Sequence, residues 1–252
     1  MCSSDLNCRG FSSRKSCFII PAPRTTVETT FTSVIIKQVP FCSGKKVDRL
    51  SLQHGQICMS TDTVIVHKSI AAQMTEKMAS LASSWPMTSA VSEAGVSKTE
   101  GLIRDALELG ASLETSTHKP WNGVPEFNDK HSLRLTAAQL RPTILTGVTC
   151  DMRIYYEESF GPTVSVLTFG TDQEAVDLAN ESNYGLSSSI FSSNIPKAIK
   201  VARQIEAGAV HINSMTIHDE QQLPHGGMKA SGWGRFGVPW GKSLSNLQME
   251  TV

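Results

Sequence analysis

The chain has 252 residues, enough for one large domain or two small ones, and apolar residues make up 40% of it. Lys and Arg together number 23, as do Asp and Glu, so the formal net charge is zero. This balance argues against nucleic acid or an anionic membrane as the main partner, and we predict that the protein binds neither. No apolar run approaches the roughly 18–20 residues of a membrane span. The apolar patch from Cys17 to Ile20 is too short for a secretory signal, so we expect a cytoplasmic protein.

The cysteines do not form a recognisable framework. Six of them are scattered along the chain without a CxxC pair, and no histidines lie at zinc-ligand spacing. We therefore expect free thiols and no metal. The six are Cys2, Cys8, Cys17, Cys42, Cys58 and Cys150.

Residues 1–50 differ from the rest of the chain. They are rich in Ser, Thr, Arg and Pro and lack helical periodicity, which predicts an irregular, disordered segment. One short strand over Thr32–Ile36 is the alternative within it. The Arg- and Ser-rich start is also compatible with a transit peptide, although Asp5 argues against that.

Regular patterns begin after this segment and predict, in chain order, first a strand, two helices and a long loop. These are a strand at Thr63–His67, a helix capped by Ser69 with Ile70, Met74, Met78 and Leu81 inward, a helix from about Ser97 to Leu109 stopped by Gly110, and a loop over residues 116–142.

The second half predicts alternating strands and helices. A strand at Thr163–Phe169 leads into a helix opened by a capping box of Thr171 and Glu174. A strand at Ser187–Phe191, a helix with Pro196 in its first turn, a stop at Gly208, a strand at Ala209–Asn213 and a final strand near Asn246–Glu250 follow. Short connections between such elements predict an α/β fold with a parallel sheet.

The first candidate for chemistry is Gly55–Ser60, with the sequence GQICMS. Glycine lets a backbone approach a ligand closely. A thiolate at Cys58 is able to attack a carbonyl carbon, and neighbouring backbone N–H groups are able to stabilise the oxyanion. The alternative is a small buried apolar residue, the usual state of a free cysteine. Of the six cysteines, only Cys58 has a local sequence that favours catalysis.

Two later segments combine residue types that suit ligand contacts. Glu157–Pro162, EESFGP, offers a carboxylate for ribose hydroxyls and an aromatic face for a planar ring, or is simply a solvated loop. Pro224–Arg235 is glycine-rich but lacks both common phosphate-loop patterns, so we interpret it as a structural or substrate-lining loop. We interpret His211, His218 and His225 as hydrogen-bonded structural residues rather than metal ligands.

Taken in order, these motifs resemble the aldehyde dehydrogenase superfamily from about residue 52 to the C-terminus. The matching stretches are GQIC ending at Cys58, ESFGP from Glu158, NYGL from Asn183, GAVHIN from Gly208, PHGG from Pro224 and KASG from Lys229. Further stretches resemble salicylaldehyde, vanillin and benzaldehyde dehydrogenases: QICMST from Gln56, MRIYYEESF from Met152 and MTIHDE from Met215. The resemblance implies a parallel-sheet catalytic domain with a C-terminal tail over residues 51–252, and an aromatic aldehyde as substrate.

The resemblance also implies a mechanism and site roles. Cys58 would add to the aldehyde carbon, hydride would leave to NAD or NADP, and activated water would hydrolyse the resulting thioester. Glu158 and Phe160 would contact the nicotinamide ribose and ring, and Lys98 would contact a second ribose. Five residues would line the aldehyde funnel: Ile57, Met59, Ile217, Asp219 and His225.

The sequence departs from this family before Cys58. Family members are about twice this length, so the resemblance predicts that an N-terminal Rossmann-like domain is missing. The general-base motif Glu-Leu-Gly-Gly-Lys has no clear counterpart, because Glu28 lacks its context and Ser43–Lys46 is only faintly similar. General-base catalysis typically contributes ~10²–10⁴-fold, so deacylation would be slow.

Three hypotheses therefore stay open. One is an active dehydrogenase. Another is a non-catalytic remnant that associates with an intact homologue or with its own copies as a homo-oligomer. The third is a thiol esterase that uses Cys58 without a cofactor.

Overall fold

The computed structural model describes residues 34–37, 55–82, 88–114, 133–220, 222–237 and 249–251. The helices are α1 (Ala71–Ala82), α2 (Glu93–Glu108), α3 (Arg153–Tyr156), α4 (Asp172–Glu181) and α5 (Ile195–Ala202). The strands are β1 (Val34–Lys37), β2 (Thr63–His67), β3 (Ser112–Glu114), β4 (Arg134–Thr136), β5 (Gln139–Leu140), β6 (Thr143–Thr146), β7 (Thr163–Phe169), β8 (Tyr184–Gly185), β9 (Ser187–Phe191), β10 (Ala209–Ile212), β11 (Met228–Lys229) and β12 (Met249–Thr251).

One eight-stranded sheet organises the fold, in the order β12-β10-β9-β1-β2-β7-β6-β3. Six strands share one direction, but β1 is antiparallel to both β2 and β9, and the edge strand β3 is antiparallel to β6. The predicted parallel sheet is therefore wrong in this respect: the sheet is mixed, though mostly parallel. A single helix links β7 to β9 and β9 to β10, as parallel strands require, whereas two helices lie between β2 and β3 in the chain.

The N-terminal strand also corrects the interpretation of residues 1–50. Val34–Lys37 pairs in register with β2 and β9, with Ile35 opposite both Ile65 and Ile190, so these four residues are not irregular. The other residues of that segment lie outside the described part of the chain, including Glu28 and Ser43–Lys46.

The ends of α2 show how local chemistry sets helix boundaries. Ser92 is the N-cap, and its Oγ accepts a hydrogen bond from Gly95 N at 3.2 Å, so α2 begins at Glu93 rather than near Ser97. Gly110 follows the helix at φ +101°, which confirms the predicted left-handed stop.

The predicted capping box of α4 is only half formed. Thr171 Oγ1 accepts from Glu174 N at 3.2 Å, as expected. The Glu174 carboxylate, however, accepts from Gly170 N at 2.7 Å, one residue earlier than a capping box requires.

Three apolar clusters cover the two faces of the sheet. Alternation along β2 points Val64 and Val66 towards α1, whereas Ile65 lies on the other face with α4 and α5. A third cluster joins α2 to β6 through Leu102 and Leu145, both fully buried.

Residues 133–142 were predicted as loop, but they hold the short hairpin β4–β5. The predicted final strand is present as β12, shifted to Met249–Thr251 and parallel to β10. Among the described residues, none of the helices combines the length and apolar character needed to cross a bilayer.

Candidate active site

Cys58 lies in a tight turn just before β2. Ser60 N donates to Ile57 O at 2.8 Å, which closes the turn around the cysteine. The Cys58 side chain is exposed and forms no disulfide. A free thiol held by a short backbone hydrogen bond and open to solvent is suitably placed to meet a reactive carbonyl.

Gly55 brings this turn against the segment that contains Glu158. Its φ is +75°, and a Cβ atom there would lie only 2.3 Å from Gly161 O. Because backbone occupies the space of the missing side chain, only glycine allows the two segments to meet this closely.

Asp62, which directly precedes β2, and Thr99 of α2 hold the facing segment in place. Ser159 Oγ donates to Asp62 Oδ1 at 2.6 Å, and Ser159 N donates to the same oxygen at 3.2 Å. On its other side, Thr99 Oγ1 donates to Ser159 O at 2.8 Å. Two side chains distant in sequence therefore fix the loop that carries Glu158 and Phe160.

Glu158, Phe160 and Lys98 lie together on this loop and the adjoining helix. Lys98 Nζ donates to Glu158 O at 2.8 Å. Burial raises the pKa of the Glu158 carboxyl, and the nearby Lys98 partly opposes that shift. Phe160 adopts φ +49° and is 39% exposed, so its ring is presented to solvent beside the Cys58 turn rather than packed in the core.

The predicted substrate-lining residues come from two loops that contact each other. Thr216 Oγ1 donates to Met59 O at 2.9 Å, which anchors the segment after β10 to the Cys58 turn. Ile217 follows the anchor, and Asp219 lies 3.6 Å from His225 between Oδ1 and Nδ1. The structure thus brings the predicted lining residues into one neighbourhood.

Three histidines lie near one another in this part of the chain. His211 is fully buried, and its ring lies 5.7 Å from that of His218 in an edge-to-face contact. Burial, with further contributions from His218 and His225, lowers the pKa of His211 to about 4. Within the described ranges, no group of three or more potential ligands is arranged to hold a metal ion.

Because His211 is buried, we expect the stability of the protein to depend on pH. Its pKa rises from about 4 in the fold to about 6.5 when unfolded, so the unfolded chain binds the proton more tightly. Its contribution is complete above the unfolded pKa and is lost as the pH falls towards the folded pKa. We expect the free energy of unfolding to drop by about 3 kcal/mol over this window.

Urea denaturation at several pH values measures the slope of the free energy of unfolding against pH. His211→Gln should make the free energy of unfolding less dependent on pH. An equally steep slope in His211→Gln would assign the loss of stability to other groups.

Sequence reasoning missed the residues that connect the motifs. Asp62, Thr99 and Thr216 bind partners that lie 97, 60 and 157 residues away. Gln56 Oε1 also accepts from Val91 N at 2.8 Å, which links the Cys58 motif to the start of α2. No local pattern marks such residues, because each is an ordinary polar side chain until the chain is folded.

The chain is similar to known proteins of one family. The pattern of the Aldehyde dehydrogenase family matches residues 45–248. Vanillin dehydrogenase from Pseudomonas fluorescens is 38% identical over 193 residues, covering 73% of this chain and 37% of that protein. Salicylaldehyde dehydrogenase from Pseudomonas putida is 38% identical over 196 residues, with the same two coverages of 73% and 37%.

Solved structures give the same result. A salicylaldehyde dehydrogenase from Pseudomonas putida complexed with salicylaldehyde has a TM-score of 0.64 at 33% identity, over 77% of this chain and 40% of that one. An NADP-dependent glyceraldehyde-3-phosphate dehydrogenase from Bacillus halodurans complexed with NADP has a TM-score of 0.61 at 30% identity, over 77% and 39%.

The fold and the site thus define an α/β protein in which an exposed cysteine lies beside a loop that carries a partly buried carboxylate. The chain belongs to the aldehyde dehydrogenase family, and it spans about 37% of the length of the curated relatives that it matches.

Proposed function

We propose that this chain oxidises an aldehyde, of the aromatic class, to a carboxylic acid with NAD or NADP, and that Cys58 is the nucleophile. The observation that carries the proposal is the exposed Cys58 thiol in a hydrogen-bonded turn that packs directly against the Glu158–Phe160 loop. The relatives named as vanillin and salicylaldehyde dehydrogenases support the aromatic class of substrate.

Cys58 would begin the reaction by forming a carbon–sulfur bond. Its thiolate adds to the aldehyde carbon, and the carbonyl oxygen becomes the oxyanion of a thiohemiacetal. Backbone N–H groups of the turn are the nearest preorganised donors for that charge. Loss of hydride from this carbon leaves a thioester, and water cleaves it to release the acid and the thiol.

The residues present fit the nicotinamide end of a dinucleotide. The half-buried Glu158 carboxylate accepts hydrogen bonds of the kind that ribose hydroxyls donate, and the exposed Phe160 ring offers a flat apolar face. Lys98 donates to the Glu158 backbone, and its positive charge would attract an anionic dinucleotide. When bound, the dinucleotide supplies the hydride acceptor.

The aldehyde would enter between the Cys58 turn and the loop after β10. Ile57 and Met59 flank the nucleophile on one side, and Ile217, Asp219 and His225 come from the other. A mostly apolar set of side chains with a few polar groups would suit an aromatic ring bearing a hydroxyl group.

The test combines NADH formation with identification of the covalent adduct. The protein is incubated with an aromatic aldehyde and NAD or NADP, NADH or NADPH is measured by absorbance, and peptide mass spectrometry locates the trapped acyl group. We expect reduced cofactor and an acyl group on the Cys58 peptide. Cleavage of an activated ester at Cys58 without any NADH would support an esterase instead. A folded protein that does neither would overturn the proposal.

A further inference from the structure

A cavity lies between α1 and α4, away from the Cys58 turn. Its volume is about 910 Å³, within the range of small-molecule sites. The floor is Val166–Thr168 of β7, and the walls are α1, the end of α4 and the segment Thr146–Cys150. Cys58 precedes the amino end of β2, whereas Thr146–Cys150 follow the carboxyl end of the parallel strand β6, so the two sites are separate.

The cavity fills a gap at the edge of β7, which exists because β6 is shorter than β7. Pairing between them ends at Leu145 opposite Ser165, but β7 continues to Phe169. Beyond that point no described strand covers this side of β7. Backbone groups of Val166–Thr168 therefore face the cavity rather than a neighbouring strand.

Helices from both faces of the sheet border this gap. The neighbouring parallel strands β2 and β7 continue into α1 and α4, which pack on opposite faces of the sheet.

The lining carries negative charge without a described counter-charge. Glu76, Glu114 and Glu181 contribute carboxylates, and no Lys, Arg or His is among the described lining residues. Tyr155 Oη donates to Glu181 Oε2 at 2.5 Å, and Thr146 Oγ1 donates to Glu114 Oε1 at 2.7 Å. These neutral donors orient two of the carboxylates while leaving their charge uncompensated.

Part of the remaining wall is apolar. Ala71, Ala79, Val148 and Leu178 supply small and medium hydrocarbon groups between the carboxylates. A ligand that suits this lining needs a hydrocarbon body and a cationic, hydrogen-bond-donating end.

We propose that the cavity between α1 and α4 binds a small aliphatic amine in its ammonium form. The ammonium group contacts the carboxylates of Glu114 and Glu181, and the alkyl chain lies against Val148 and Leu178. This binding is independent of the chemistry at Cys58, so an inactive Cys58 site does not affect it.

Cys150 provides a direct readout, because its exposed thiol is part of the cavity wall. The protein is treated with iodoacetamide at constant ionic strength, and peptide mass spectrometry follows alkylation of Cys150 over time. We expect 1,4-diaminobutane to slow alkylation of Cys150 several-fold and to leave Cys58 unaffected. The uncharged 1,4-butanediol, of equal length, should have no effect on either cysteine. Equal protection by both compounds, or by neither, would overturn the proposal.

Matched variants locate the charge. Glu114→Gln and Glu181→Gln keep an acceptor oxygen for Thr146 and Tyr155, and each should weaken protection by about threefold, since partly exposed ion pairs contribute up to about 1 kcal/mol. Glu108→Gln, on the exposed face of α2, should bind as the unmodified protein does. Circular dichroism confirms that each variant is folded. Unchanged binding by both cavity variants would contradict the assignment.

Discussion

Replacing Cys58 with serine is expected to lower the rate of NADH formation from an aldehyde by about a thousandfold or more. The serine hydroxyl is almost wholly protonated at neutral pH and is a much weaker nucleophile than a thiolate. Oγ would occupy nearly the place of Sγ in the turn closed by the Ser60–Ile57 hydrogen bond, so the fold should be unchanged. Steady-state kinetics with a fixed concentration of aldehyde measures the loss.

The control is another thiol of the same chain. Cys8→Ser removes a cysteine that belongs to none of the motifs, and we expect its kcat to match that of the unmodified protein. Thermal denaturation of Cys58→Ser should give the same midpoint as the parent. If Cys58→Ser retained substantial turnover, the nucleophile would have to be sought elsewhere in the chain.

Replacing Gly208 with alanine is expected to destabilise the fold by about 3 kcal/mol or more, as overpacking against a rigid neighbour does. A Cβ atom at this position would lie 1.7 Å from Gly226 O, and that atom belongs to backbone that has no rotamer to change. Gly208 N also donates to Gly185 O at 2.9 Å, so the residue is held from both sides. Urea denaturation followed by circular dichroism gives the change.

A second glycine of the chain serves as the matched control. Gly101 lies inside α2, and a Cβ atom there would meet nothing within 4 Å. Gly101→Ala should therefore stabilise the protein, by up to about 1 kcal/mol, because alanine is the better helix former. The two substitutions add the same methyl group, and opposite signs are the decisive result. Equal effects would mean that the close contact at Gly208 relaxes without cost.

The sequence predicted those elements whose signals are local. The β-branched run at Thr63–His67, the cap at Thr171 and the stop at Gly110 each depend on residues a few positions apart, and each was confirmed. The direction of β1 was not predictable, because no local pattern specifies which distant strands will flank four residues. The hairpin β4–β5 was missed for a related reason, since strands of two and three residues are too short to show periodicity.

In the candidate site, too, local motifs were predictable from the sequence and long-range contacts were not. Family motifs predicted Cys58, Glu158 and Phe160 as site residues, and these roles stay predictions as well. The contacts that assemble them were not predictable, since Asp62, Thr99 and Thr216 act through partners fixed only by the tertiary fold. The roles assigned to Lys98, Ile217 and His225 stay predictions until binding and kinetics test them.

The position of β1 has a consequence for how the sheet assembles. It is the only described strand that joins β2 and its neighbours to β9 and its neighbours. Ile35 leaves the ribosome long before Ile190, yet it pairs with both Ile65 and Ile190. One hydrogen-bonding edge of β1 therefore has no β9 partner until Ile190 has been synthesised, and other strands can pair with it in the meantime. Incorrect pairing of β1 is therefore expected to occur mainly while the chain between β1 and β9 is still being translated.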